Sequence, residues 1–283
     1  MSRAGAPVRQ DGEDVRQTES GRGELDLESP DVSYIVGLLQ TDGCHSGDVE
    51  KKGKIGLELA VRDEALLHKI AALLPCNARV STRQRTTNFS AGRLYETATL
   101  TFSAQPVRRF FAGAGVPTGR KSNSVGPPNG RFSAPDYVRG LLDGDGSLGF
   151  TSRGYPFVSF VTASDDLARY LAGVINDVCG VTRRPGRNAR DGVFNIMVTS
   201  SAAKALAAWC YYDGCLGLER KVLSAEAIGA WTVPSGRYGV RRAAWTAEAD
   251  DVVRSLPRVD AAVQLGRTEK SIAMRAWRLV RAG

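Results

Sequence analysis

Hydrophobic positions along this chain follow two rhythms, one of three to four residues and one of two, and the same succession of rhythms is written twice. Residues 33–46 (SYIVGLLQTDGCHS) and 136–150 (DYVRGLLDGDGSLGF) each give a short apolar, helix-like run that stops at Asp-Gly. Behind the first, residues 53–61 (GKIGLELAV) alternate as a half-buried strand does, and Asp63 is placed to cap a helix over EALLHKIAALL. Residues 79–85 and 94–102 read as strands, and 107–114 as a helix. In the second half, residues 156–162 read as a strand and Asp165 opens the helix DLARYLAGVINDV. Residues 181–184 and 193–199 then give a strand pair, and 202–211 a closing helix. The expected fold is α+β, with two pseudo-symmetric αββαββα repeats at residues 30–126 and 127–225.

The flanks differ in kind. Residues 1–29 are polar, without a periodic apolar face, and read as a disordered lead-in. Residues 226–242, with Pro234, Ser235, Gly236 and Gly239, read as a linker. Residues 243–283 hold three short helical patterns, at 248–256, 259–265 and 270–280, with Trp245, Ile272 and Trp277 as expected core anchors. This is a small three-helix C-terminal domain.

The two Asp-Gly stops carry the chemistry. A helix ends in partial negative charge, so its last turn favours Lys or Arg and the next position Gly. Gly43 and Gly146 fit that rule, but Asp42 and Asp145 precede them. Carboxylates there need positive compensation, and a hard divalent cation taking oxygen ligands supplies it. Gly37 and Thr41, and likewise Gly140 and Gly144, lie four apart on one helix face and allow close backbone approach. Packing the two helices on those faces brings Asp42 and Asp145 to one end, side by side.

Composition narrows the class. The 283 residues are 42% hydrophobic and 24% charged, enough for two or three domains. No run approaches the roughly 18 apolar residues of a membrane span, and the N-terminus lacks an apolar signal core; an intracellular location is expected. Five cysteines (44, 76, 179, 210, 215) without C-x-x-C spacing, beside two histidines, speak for reduced structural thiols and against zinc. The net charge is +8, and residues 1–30 contribute −3, leaving +11 on the rest. A polyanionic partner follows.

These residues resemble the LAGLIDADG homing endonucleases. IVGLLQTDG (35–43) and VRGLLDGDG (138–146) keep the motif's third-place Gly, fourth-place Leu and closing Asp-Gly, while Gln40 replaces an acid that Asp143 retains. The resemblance implies a monomeric pseudo-dimer that cuts both strands of a long asymmetric double-stranded DNA target by two-metal hydrolysis, leaving short 3′ overhangs. It implies Mg2+, with Mn2+ substituting, held by Asp42, Asp145 and the backbone carbonyls of Thr41 and Gly144. Lys121 and Lys221 follow their acids at nearly equal distances and resemble the family's late lysines, which serve catalysis beside the metal. The strands imply DNA contacts from Lys51, Lys52, Lys54, Arg79, Arg83, Arg85 and Arg93 in the first half, and from Arg153, Arg183, Arg184, Arg187 and Arg190 in the second. The tail resembles Myb-like or helix-turn-helix domains, with Lys270, Arg275, Arg278 and Arg281 toward DNA. Three alternatives stay open: an intron RNA maturase, a non-cleaving DNA-binding regulator of the same fold, and a Myb-like protein whose remaining chain dimerises.

Overall fold

A computed structural model describes residues 24–87, 90–233 and 244–282; of these, the side chains of 85–87, 90–94 and 282 are left undescribed. Contacts divide the chain into two compact units, the second beginning at Val233.

The first unit is built around two helices, α1 (Pro30–Thr41) and α4 (Ala134–Asp145). Both start with proline in the first turn, where its fixed φ and missing N–H cost nothing, and both place an acid (Asp31, Asp136) near the positive helix start. Neither has a basic residue in its last turn. Almost every side chain of α1 from Val32 to Gln40 is buried, so the helix is central, not amphipathic.

Strand β1 (Gly43–Gly47) leaves α1 directly, and β2 (Gly53–Ala60), β3 (Ala78–Thr87) and β4 (Ser90–Phe102) complete an antiparallel sheet in the order β1-β2-β4-β3. Helices α2 (Glu64–Leu73) and α3 (Gln105–Gly113) complete this half as αββαββα. Ile55, Leu57, Leu59, Ala98, Leu100 and Phe102 are buried on one face of the sheet. The register puts Lys54, Glu58, Arg79, Ser81, Arg83 and the threonines 97, 99 and 101 on the other.

The second half repeats the plan one strand short. Strands β5 (Gly146–Phe150), β6 (Pro156–Thr162) and β7 (Phe194–Thr199) form a sheet in that order, with α5 (Asp165–Cys179) and α6 (Ser200–Cys210) behind. The expected strand at 181–184 is absent: VTRRPG (181–186) forms no ladder, and the segment meets the sheet through Arg183 Nε, which donates to the Met197 carbonyl at 3.2 Å, and through an isolated bridge between Arg187 and Phe194. Pro185 has no N–H to give a ladder, and the paired arginines offer no apolar face.

Three further expectations are corrected. Residues 24–29 are packed rather than loose, with Leu25 and Leu27 against the core and the Leu27 carbonyl accepting from Ser33 Oγ at 2.7 Å; residues 1–23 lie outside the described residues. The expected linker begins inside a helix, α7 (Glu219–Ala230), which buries Ala225 and Ile228; of the linker, residues 234–242 lie outside the described residues. The cap at Asp63 also differs: Asp63 makes no side-chain cap, pairing instead with Arg220 Nε at 3.2 Å. Helix α5 does open at Asp165, and Ser164 before it caps the helix by accepting from Leu167 N.

The second unit packs α8 (Ala247–Ser255), α9 (Arg258–Gln264) and α10 (Glu269–Ala282) around Val253, Ala261, Ala262 and Ile272, with Trp245 against them. Trp277 is no core anchor; it is 53% exposed. Among the described residues, no helix is long and apolar enough to cross a membrane.

Candidate active site at the paired helix ends

Small residues decide how closely α1 and α4 approach. A Cβ on Gly37 would sit 2.3 Å from the Tyr137 carbonyl oxygen, and one on Gly140 would sit 2.2 Å from that of Tyr34. A Cβ on Gly144 would lie 2.0 Å from Thr41 Oγ1. The four small residues singled out by their spacing therefore all lie at the helix contact.

Two tyrosines at equivalent places reach across that contact. Tyr34 donates to Asp143 Oδ2 at 2.7 Å, and Tyr137 donates to Gln40 Oε1 at 2.6 Å. The Gln40 and Asp143 difference then has a local cause. Gln40 Nε2 donates to the carbonyls of Gly115 and Gly126 at 2.8 and 2.9 Å, which demands a donor. Asp143 accepts from Tyr34, from Tyr211 and from Leu218 N, each at 2.7 Å, which demands an acceptor. Burial pushes the Asp143 carboxyl up while these three donors pull it down. Both residues are internal braces. Asp143→Leu should leave three buried donors unsatisfied and destabilise the protein by about 3 kcal/mol, read as a lower Tm in thermal unfolding.

Beyond the braces, Asp42 and Asp145 remain accessible at the adjoining helix C-termini. Burial of its surroundings, and next the charge of Asp145, push the Asp42 carboxyl up to about 6, against the opposing pull of Lys221, Lys121 and Arg220. Burial likewise raises Asp145, opposed by Lys121 and Lys221. Each carboxylate thus feels both lysines, one from each half.

The lysines are anchored on helix-end carbonyls. Lys121 Nζ donates to the carbonyls of Leu39 and, at 3.0 Å, Thr41. Lys221 Nζ donates to those of Leu142, Asp143 (2.7 Å) and Gly146 (3.0 Å). These ammonium groups offset the negative helix ends that the aspartates worsen. Burial lowers both lysines to about 8, with nearby carboxylates opposing the shift.

The donor set fits a hard divalent ion. Among the described residues, no group of three or more His, Cys, Asp or Glu could hold a metal. The protein thus offers two carboxylates and main-chain oxygens, the sparse all-oxygen set that suits Mg2+, which keeps water and phosphate oxygens as its other ligands. Of the two expected backbone ligands, the Thr41 carbonyl already accepts from Lys121, leaving one lone pair to share.

The pH dependence has a definite sign. Without metal, the folded protein holds the Asp42 proton up to about 6 while an unfolded chain releases it near 3.8. The folded state binds more protons in that window, so Asp42 contributes stability below it that is lost as pH rises toward 6. A divalent ion needs the ionised form. Stabilisation by Mg2+ in thermal unfolding should therefore be small at pH 5 and grow through pH 6 to 7.

The expected DNA-facing residues divide by position. Lys54, Arg79 and Arg83 stand on the polar face of the first sheet, with Arg83 paired to Glu58, while Lys51 and Lys52 sit in the β1–β2 turn. The side chains of Arg85 and Arg93 lie outside the described residues. All five second-half arginines are off the strands. Arg153 is in the β5–β6 turn and Arg184 in the segment between α5 and β7. Arg183 donates to the Met197 carbonyl, Arg187 pairs with Asp165 at 2.6 Å, and Arg190 pairs with Asp191 at 3.1 Å.

The sequence reading missed the Tyr34–Asp143 and Tyr137–Gln40 braces, although equal placement of the tyrosines in both copies was a usable signal. It also missed Arg220, whose bond to Asp63 ties the two halves together.

No family model and no curated protein matches this sequence. Solved structures with a similar chain course include the LAGLIDADG homing endonuclease I-LtrWI bound to target DNA (12% identity, 71% of this chain and 88% of that one, TM-score 0.44). The homing endonuclease I-WcaI bound to its DNA recognition sequence gives 11% identity over 61% of this chain and 77% of that one, TM-score 0.45. I-SmaMI, bound to an uncleaved DNA target in the presence of calcium ions, gives 11% identity over 61% and 79%, TM-score 0.41.

Proposed function

We propose that the first unit is a site-specific, Mg2+-dependent DNA endonuclease that cuts both strands of a duplex. The observation that carries this reading is the pairing of Asp42 and Asp145 at the ends of two tightly packed helices, with Lys121 and Lys221 anchored on those ends so that each carboxylate feels both.

Phosphodiester hydrolysis needs an aligned water, relief of the charge gathering on phosphorus, and stabilisation of the departing 3′ oxygen. Bound divalent ions supply Lewis acidity for these tasks. The chain's own residues do the rest. Asp42 and Asp145 hold the ions, with main-chain oxygens at Thr41 and Gly144. Lys121 and Lys221 keep positive charge next to the phosphate oxygens and stay in place through their carbonyl bonds. One Asp and one Lys per half give one cut per strand, and the resemblance to the LAGLIDADG homing endonucleases implies short 3′ overhangs. Mn2+ serves as a substitute ion.

Reading of the target falls to Lys54, Arg79, Arg83 and the threonine-rich face around them, the polar face of the four-stranded sheet, turned to the major groove. Incubating the protein with a randomised duplex pool, with and without Mg2+, and sequencing the cut ends tests the reading. A recurring site with 3′ overhangs, formed only with the ion, is expected; a pool left uncut, or cut without sequence preference, contradicts it.

A further inference from the structure

Helices α1 and α4 match position for position, yet besides Gln40 and Asp143 they differ in one buried pair. Where α1 has Ser33 and Val36, α4 has Asp136 and Arg139, both at most 1% exposed. The Arg139 guanidinium pairs with Asp136 and also donates to two main-chain carbonyls outside its helix, those of Cys210 and Leu216, each at 2.7 Å. It lies over two rings, 5.1 Å from the centre of Tyr34 and 5.2 Å from that of Tyr212.

Most of these bonds run to one stretch, residues 210–218. Tyr212 Oη donates to Asp136 Oδ1 at 2.6 Å, and Tyr211 Oη and Leu218 N donate to Asp143 at 2.7 Å. Gly217 packs so closely that an added Cβ would lie 3.4 Å from Asp143 Oδ2 and 3.6 Å from Arg139 Cδ. The stretch is strapped to α4 along its length. It ends where α7 begins, with Lys221 N and Val222 N donating to the Leu218 carbonyl at 2.8 and 3.0 Å. Lys221 is 5% exposed, and its ammonium group meets the carbonyls of Leu142, Asp143 and Gly146.

The first half is built differently. Val36 offers no bond, and the stretch leading to Lys121 is tied by Gln40 to the Gly115 carbonyl, by His45 Nδ1 to that of Val116 at 3.0 Å, and by Gly119 N to that of His45 at 2.9 Å. Lys121 meets two carbonyls and is less buried than Lys221.

Arg139 supplies geometry more than stability. Desolvation consumes most of the attraction in a buried ion pair, and apolar residues of similar volume stabilise as well or better. A planar guanidinium fixed by three bonds, in contrast, sets both distance and angle between a helix and the stretch it holds. From these observations we infer that Arg139 is a positioning residue: with Asp136 it holds residues 210–218 so that Lys221 is braced at the α4 end, independently of Lys121. The consequence for cleavage rests on the nuclease reading of the first unit; the placement of Lys221 does not.

The test reads placement and cleavage separately. In the full chain, acetylation of lysines by acetic anhydride is followed residue by residue with peptide mass spectrometry. Two variants are compared with the parent. Asp136→Ser with Arg139→Met removes both charges together, so neither is left buried alone; Tyr212→Phe removes one bond from a ring that is 42% exposed. Tyr212→Phe should raise the Lys221 rate about tenfold, and the double variant should raise it further, while Lys121 and Lys204 in α6 keep their rates. An unchanged Lys221 rate in both variants overturns the inference. A rise shared by all three lysines in both also overturns it, for then the pair only maintains the fold. The same proteins are given the recovered duplex target with Mg2+ and each strand labelled. Tyr212→Phe should slow the cut that Lys221→Met slows by at least ~10-fold and leave the other strand's cut alone; equal slowing of both cuts overturns the assignment of Arg139 to one site. A parent that cuts neither strand fails the nuclease reading, and the lysine rates then still decide the placement.

Discussion

Asp42→Asn combined with Asp145→Asn should weaken Mn2+ binding at least ~100-fold while making the ion-free protein more stable. The two effects have one cause. Two carboxylates are held next to each other at helix ends that are already negative; burial raises both, and the charge of Asp145 raises Asp42 further. In the absence of an ion this is a cost of ionisation; in its presence, it is affinity. Because both groups remain accessible, solvent reduces much of that cost, and the gain in ion-free stability should be about 1 kcal/mol at pH 7. Calorimetric titration with Mn2+ and thermal unfolding without it read the two sides separately. A variant that loses ion binding because it is misfolded would melt earlier, not later.

Gly140→Ala should destabilise the first unit by about 3 kcal/mol, and Gly37→Ala similarly. Helix propensity argues the other way, since Ala in a helix interior is favoured over Gly by about 1 kcal/mol. Packing wins because the new methyl carbon would meet backbone: the Tyr34 carbonyl at 2.2 Å and the Leu38 nitrogen at 2.8 Å. Backbone cannot rotate away as a side chain can, so α1 and α4 must separate, and the Tyr34–Asp143 and Tyr137–Gln40 bonds stretch with them. Gly173 provides the internal control. It lies on the exposed side of α5 with nothing within 4 Å of an added Cβ, and Gly173→Ala should stabilise by about 0.5–1 kcal/mol. Opposite signs for the same substitution, measured by chemical denaturation, would isolate the close approach as the cause. Combined, Gly37→Ala and Gly140→Ala should cost less than the sum of their separate effects, because either alone already separates the same pair of helices.

The helices that make the site were legible in the sequence because duplication wrote the signal twice. One glycine four residues before a small residue means little; Gly37 with Thr41 and Gly140 with Gly144, followed in both cases by Asp-Gly, define a contact and a charged end. The lysines were legible for the same reason, and their carbonyl bonds could not be read because backbone acceptors leave no mark on sequence. Strand β1 has no alternating pattern in GCHSG; it forms by pairing with β2 and by following α1 without a gap. The 181–184 segment fails as a strand where Pro185 withholds a donor. Helix α7 hid behind Ser, Glu and Gly on its solvent side while burying Lys221, Ala225 and Ile228 on the other. Trp277 was misassigned to a core because size and apolarity usually send Trp inward; in α10, Ile272, Ala276 and Leu279 already fill that face. The difference between Gln40 and Asp143 is one of donor against acceptor, matching carbonyls at Gly115 and Gly126 in one half and donors at Tyr34, Tyr211 and Leu218 in the other.

The most direct measurement is cleavage of the recovered target site, with each DNA strand labelled differently, by the parent protein and by Asp42→Asn and Asp145→Asn separately. The account predicts that the parent cuts both strands only when Mg2+ is present, and that each single substitution lowers double-strand cleavage by ~10³ or more. Full double-strand cleavage retained by both variants would contradict it.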